Sequence, residues 1–122
     1  MKLFVSFKGK RFPVDVCKAG FFRKGLGLIF RTRDTENLLF DFYKDVTWQG
    51  NLTSWFVFFP FLTLWLDDNN KIIDFKVVRP FIFSISQKKK FRRIVEIPFN
   101  DKNRDLIVRF IGEKNYFEYC RW

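Results

Sequence analysis

The longest apolar run of the chain, Trp55 to Leu66, is interrupted only by Pro60 and Thr63. A membrane-crossing helix needs about 20 such residues, more than this run supplies, and Pro60 in its middle breaks any continuous helix. Phe, Trp, Val and Leu dominate the run, as in buried strand. Two strand segments meeting at a kink or bulge at Pro60 are therefore expected.

The residues that follow fix the partner. Asp67, Asp68, Asn69 and Asn70 tolerate the left-handed backbone that a hairpin turn requires. Beyond Lys71, the apolar Ile73, Phe75 and Val77 alternate with Asp74 and Lys76, the period of a half-exposed strand. A hairpin across Asp67 to Lys71 is the firmest expectation of the sequence.

Further strands are expected at Lys2 to Phe7, Arg11 to Cys17, Asn37 to Tyr43, Phe91 to Ile97 and Asn115 to Cys120, with a short turn at Lys8-Gly9-Lys10. Helical spacing is scarce. Leu106, Ile107, Phe110 and Ile111 share one helical face, Asn100 to Asp105 supplies cap residues, and Gly112 supplies a stop. A second short helix around Gly20 to Leu28 is weakened by its glycines. The expected fold is mainly β, a compact antiparallel β-sandwich or partly open barrel with one or two short helices.

At 122 residues the chain suits one domain, here residues 1–122, with a real core. Nineteen Phe and four Trp make that core aromatic-heavy. Cys17 and Cys120 are too few for a disulfide framework and are read as reduced thiols. The start of the sequence has no apolar stretch long enough for a signal peptide, so a cytoplasmic protein without a transmembrane segment is expected.

From Lys24 to Pro98 the chain resembles the "domain of unknown function 192" family of small archaeal and bacterial proteins. Gly27-Leu28-Ile29-Phe30-Arg31 is similar to the family's Gly-Leu-Met-x-Arg motif, and Leu38 to Phe42 to the segment that follows it. Pro60 to Asp67 resembles its Pro-Leu-Asp-x-x-Phe-Leu-Asp strand, and Pro80 and Val95-Glu96-Ile97-Pro98 match later landmarks. The resemblance implies a compact, mainly β fold and carries no assigned activity. Phe56 to Phe59 and Leu62 replace polar residues common in the family, so a site built on those residues elsewhere would be largely lost here.

Chemistry is constrained by absence. The chain has no histidine, which removes His-based triads, His metal sites and the usual general base near neutral pH. Two cysteines remote in sequence do not make a zinc site. Gly20, Gly25 and Gly27 lack phosphate-loop spacing. Asp67 and Asp68 read as turn residues, and Glu96 as half of a structural ion pair. The expectation is a non-enzymatic module for an unknown small ligand or protein, with no cofactor and no metal.

Arg31 is the first candidate contact, charged among apolar neighbours, with Arg33 beside it; its competing role is to pair with Asp41 or Glu96. The alternative rests on a net charge of +10. Lys88, Lys89, Lys90, Arg92 and Arg93 crowd around Phe91 and offer an anion-binding surface for sequence-independent contact with nucleic acid. Against this, residues 87–93 also read as a solvated loop whose charges guard a hydrophobic strand. Anionic membrane would attract the same charge, but no basic amphipathic helix is present to bind it.

Overall fold

The computed structural model describes residues 1–18, 34–52, 57, 59–80 and 85–120; for residues 43–52 and 85–86 the description is of the backbone. The candidate contacts Arg31 and Arg33, the expected helix around Gly20 to Leu28 and part of the run before Pro60 lie outside these residues.

Among the described residues, seven strands are followed by two short α-helices: β1 (Lys2–Phe7), β2 (Lys10–Asp15), β3 (Cys17–Lys18), β4 (Leu38–Leu52), β5 (Phe61–Leu66), β6 (Ile72–Val78), β7 (Ile85–Pro98), α1 (Arg104–Ile111) and α2 (Glu113–Tyr119). β1 and β2 form an antiparallel hairpin, and the others form a five-stranded sheet of order β3-β4-β7-β5-β6. The fold is mainly β, as expected, and among the described residues no closed barrel forms. Antiparallel pairing is not universal, however, because β3 runs parallel to β4 with Cys17 opposite Leu38.

Both faces of the large sheet are covered, which is why β5 reads as an unbroken apolar run and all six of its residues are buried. Leu39, Leu62, Leu64, Val95 and Ile97 face the β1–β2 hairpin and the helices, packing with Val5, Phe12, Val14, Ile107 and Tyr116. Leu38, Phe40, Phe61, Trp65 and Ile94 face the opposite way, under Val57, Phe59 and Phe91. The core is aromatic-heavy, and Phe59, Phe61, Phe91 and Phe99 are among its largest fully buried side chains.

The two hairpin turns follow residue chemistry. Lys8 and Gly9 have φ of 51° and 78°, the positive pair that lets a two-residue turn match strand twist. In the β5–β6 turn, Asn70 has φ 60°, and Asp67 Oδ1 accepts from the backbone N–H of Asn69 and Lys71. β6 keeps the bounds its alternation implies.

Two expectations fail. Asn115 to Cys120 is helical, because Tyr116, Tyr119 and Cys120 recur at helical spacing and pack on the first core. Residues 87–93 are not a loop but part of β7, paired with β4. The register explains the misreading: Val46 faces Phe91 and Trp48 faces Gln87, so Lys88, Lys89 and Lys90 stand opposite Thr47 alone. Such a bulge breaks strand alternation, and all three lysines are exposed.

Candidate ligand groove and basic surface

A buried polar junction joins β2, the segment before β4 and the start of α1. Asn37 and Asn103 exchange amide hydrogen bonds: Asn37 Nδ2 donates to Asn103 Oδ1 at 3.2 Å, and Asn103 Nδ2 donates to Asn37 Oδ1 at 2.9 Å. Asn37 Nδ2 also donates to the Asp15 carbonyl, and Asn103 Nδ2 to the Pro98 carbonyl. Asn100 caps the turn before α1 by accepting from the Asn103 N–H at 3.0 Å. The Tyr116 hydroxyl donates to the Asn100 carbonyl. Burial, with Cys120 beside it, pushes that hydroxyl up to about 12, so it remains a donor at any ordinary pH. A network this fully satisfied fixes its surroundings rigidly.

Beside this junction lies a half-open groove of about 430 Å³. Pro13 to Cys17 form one wall, and Lys102, Asn103 and Leu106 the other, with Thr35, Glu36 and Asn37 between them. Val14, Val16 and Leu106 supply apolar surface, while Asp15, Glu36 and Lys102 are exposed at its rim. The Cys17 thiol is partly exposed and donates to the Lys18 carbonyl at 3.9 Å. A smaller cavity of about 330 Å³ lies beyond α2, where Asp34, Arg104, Phe117 and the free Cys120 meet. Sequence reading missed the groove, because its walls come from segments far apart in the chain. The polar cluster Asn100 to Asn103, expected only to cap a helix, was its one visible trace.

The basic cluster on β7 is divided by the fold. Lys88, Lys89 and Lys90 project from the bulge, which is pinned from below: Gln87 Nε2 donates to Asp74 Oδ2, and Gln87 Oε1 accepts from the Lys89 N–H. Lys89 Nζ reaches the Ile73 carbonyl at 3.3 Å. Phe91, however, is buried in the core and cannot stack on a base. Arg92 is half-buried. Arg93 serves the fold: its Nε pairs with Asp41 Oδ2 at 3.1 Å. Its Nη1 donates to Asn70 Oδ1 and to the Asp68 carbonyl. Arg93 thus pairs with Asp41, a carboxylate considered for Arg31, which itself lies outside the described residues.

Glu96 also departs from expectation. It lies inside the sheet, opposite Leu38 on β4 and Thr63 on β5, and burial pushes its carboxyl up to about 8. Among the described residues no group of three or more Cys, Asp or Glu is placed to hold a metal ion. No helix among them is long and apolar enough to cross a membrane.

No family model and no curated protein matches the chain. Two solved structures share its fold. One is "a protein of unknown function" from Novosphingobium aromaticivorans DSM 12444, with a TM-score of 0.62 and 15% identity over 88% of this chain and 78% of that one. The other, from Sinorhizobium meliloti 1021, is described as "a putative transcription regulator", with a TM-score of 0.62 and 17% identity over 84% of this chain and 81% of that one. At such identity the likeness establishes architecture, and function must be argued from the site.

Proposed function

We propose that the chain is a non-enzymatic binding module whose ligand occupies the groove between β2–β3 and α1. The groove itself carries this reading: at about 430 Å³ it falls within the range typical of small-molecule sites, roughly 300–1,000 Å³. Its apolar floor with polar groups at the rim fits a small amphipathic ligand. The Asn37–Asn103 junction holds the walls apart without help from the ligand, and preorganisation of that kind lowers the cost of binding. The reading agrees with the family resemblance, which implies a compact β domain and no assigned activity.

Ligand-observed NMR with a fragment library tests it, read out together with alkylation of Cys17 inside the groove. Hits should slow Cys17 alkylation while leaving Cys120 unchanged, and Leu106→Trp, which fills the groove, should abolish them. Hits that ignore both Leu106→Trp and Cys17 would move the site elsewhere.

A second reading, sequence-independent nucleic-acid binding, is favoured by the three-lysine bulge on β7. It has lost its aromatic, since Phe91 is buried, and it would depend on phosphate contacts alone. Its signature is affinity that falls steeply with salt and vanishes when Lys88, Lys89 and Lys90 become Glu. Anisotropy of labelled RNA and DNA at low and physiological salt decides between a specific interaction and charge alone.

A further inference from the structure

The β1–β2 hairpin has an outward face that the core does not use. Its inner residues, Val5, Phe12 and Val14, are buried against the large sheet. The strand register puts Phe4 opposite Pro13, and Ser6 opposite Arg11, on the other side. Phe4 is 50% exposed, and Pro13 is exposed opposite it. Among the described residues the exposed large hydrophobics are Met1, Phe4 and Phe117, and Phe4 is the one at the centre of this face.

Cations frame it. Lys2 and Arg11 are exposed on the same face and Asp15 stands opposite Lys2, while Lys8, at the turn, and Lys10, opposite Phe7, are exposed at the hairpin's tip. The Arg11 guanidinium lies 5.8 Å from the centre of the Phe4 ring, and Lys8 Nζ lies 5.2 Å from that of Phe7.

We propose that this face docks on anionic membrane, with Phe4 and Pro13 entering the headgroup layer and Lys2 and Arg11 meeting lipid phosphates. Two weak terms combine here, apolar insertion and attraction of basic side chains to an acidic surface. Neither suffices alone, and the hairpin holds both on one rigid face. Charge complementarity favours a bilayer over an apolar protein partner, since Lys2 and Arg11 would lose water against such a partner without gaining an anion. A bilayer also fits better than a nucleic acid. Arg11 already covers one face of the Phe4 ring, where a base would have to stack, whereas an inserted ring leaves its guanidinium at the phosphate level. The face meets the groove at Pro13 and Asp15, but Lys2, Phe4 and Arg11 lie outside its lining, so their substitution tests the face by itself.

Sedimentation with phosphatidylcholine–phosphatidylserine vesicles, against pure phosphatidylcholine vesicles, tests the proposal. Wild-type protein should bind the acidic vesicles selectively. Phe4→Ser, which changes no charge, should weaken binding about tenfold, while Phe4→Trp keeps it; circular dichroism confirms that both remain folded. Lys2→Glu with Arg11→Glu should abolish binding, and Lys88→Glu with Lys89→Glu, the same change in net charge, should weaken it far less. Equal loss from the two charge pairs would overturn the proposal, leaving net charge as the cause. So would acidic-vesicle binding indifferent to Phe4→Ser, or no binding at all. If Phe4→Ser weakens single-stranded oligonucleotide binding and spares vesicles, the face is a stacking surface and the membrane proposal fails.

Discussion

Thr63 on β5 and Glu96 on β7 face each other across the sheet, both buried, and among the described residues the Thr63 hydroxyl finds no hydrogen-bond partner. A carboxyl in such a place prefers to keep its proton. Burial pushes Glu96 from 4.5 up to about 8, so between those values the folded chain holds a proton that the unfolded chain has released. Stability from this group is complete below pH 4.5 and declines as pH rises towards 8, by at most about 1.4 kcal/mol per pH unit. Glu96→Gln should flatten that decline and leave the variant more stable than wild type at pH 8.5. Urea unfolding midpoints across the range measure it; parallel curves for the two proteins would contradict the assignment.

Arg93, on β7, ties β4 and the β5–β6 turn together, although its sequence neighbours made it look like surface charge. Arg93→Ala removes the ion pair with Asp41 and frees acceptors in the β5–β6 turn, at a cost of roughly 2–3 kcal/mol. Lys88→Ala removes only an exposed side chain and should fall within about 0.5 kcal/mol of wild type. The contrast between the two substitutions, measured by denaturant unfolding, is the test. Similar small effects would mean the Arg93 contacts contribute nothing.

Asn103 is the hub of the junction beneath the groove. Asn103→Ala takes from the buried Asn37 Oδ1 and the Pro98 carbonyl the donor they share, which should cost about 2–3 kcal/mol. Because the same residue lines the groove, binding to fragments should fall as well. Leu106→Trp is expected to block the groove with a smaller loss of stability, so comparing the two separates the scaffold from the site.

What the sequence disclosed depended on how each strand is covered. β6 keeps Lys76 exposed between Phe75 and Val77, which pack on the first core, so that stretch of alternation was legible, although a register shift turns Ile73 to the second core. Val95, Glu96 and Ile97 are all buried, on opposite faces of one strand, so alternation there is lost and the position of Glu96 was hidden. β4 runs past the expected end at Tyr43 to Leu52, because bulges between Asp41 and Val46, and again before Leu52, scramble the pattern. In α2, Tyr116, Phe117 and Tyr119 favour strand by composition, and tertiary packing of Tyr116 against Phe99, with rings 5.4 Å apart, prevails. The groove could not be read at all, since no single segment contains it.

Gly112 was legible as a helix stop, and the structure gives it a second duty. Its N–H donates to the Val108 carbonyl to close α1, and its own carbonyl accepts from the Tyr116 N–H to open α2. Both bonds require φ of 85° and ψ of 158°, a region that residues with a side chain scarcely enter. A Cβ placed there would meet nothing within 4 Å, so the penalty for Gly112→Ala is conformational and not steric. It should amount to about 1–3 kcal/mol. Gly9→Asn makes a useful control, because φ of 78° in the β1–β2 turn lies where Asn is tolerated. Gly112→Ala should shift the denaturation midpoint clearly and Gly9→Asn hardly at all. If Gly112→Ala proves neutral, the two helices do not depend on this backbone conformation to bring Ile107 and Tyr116 onto the same core.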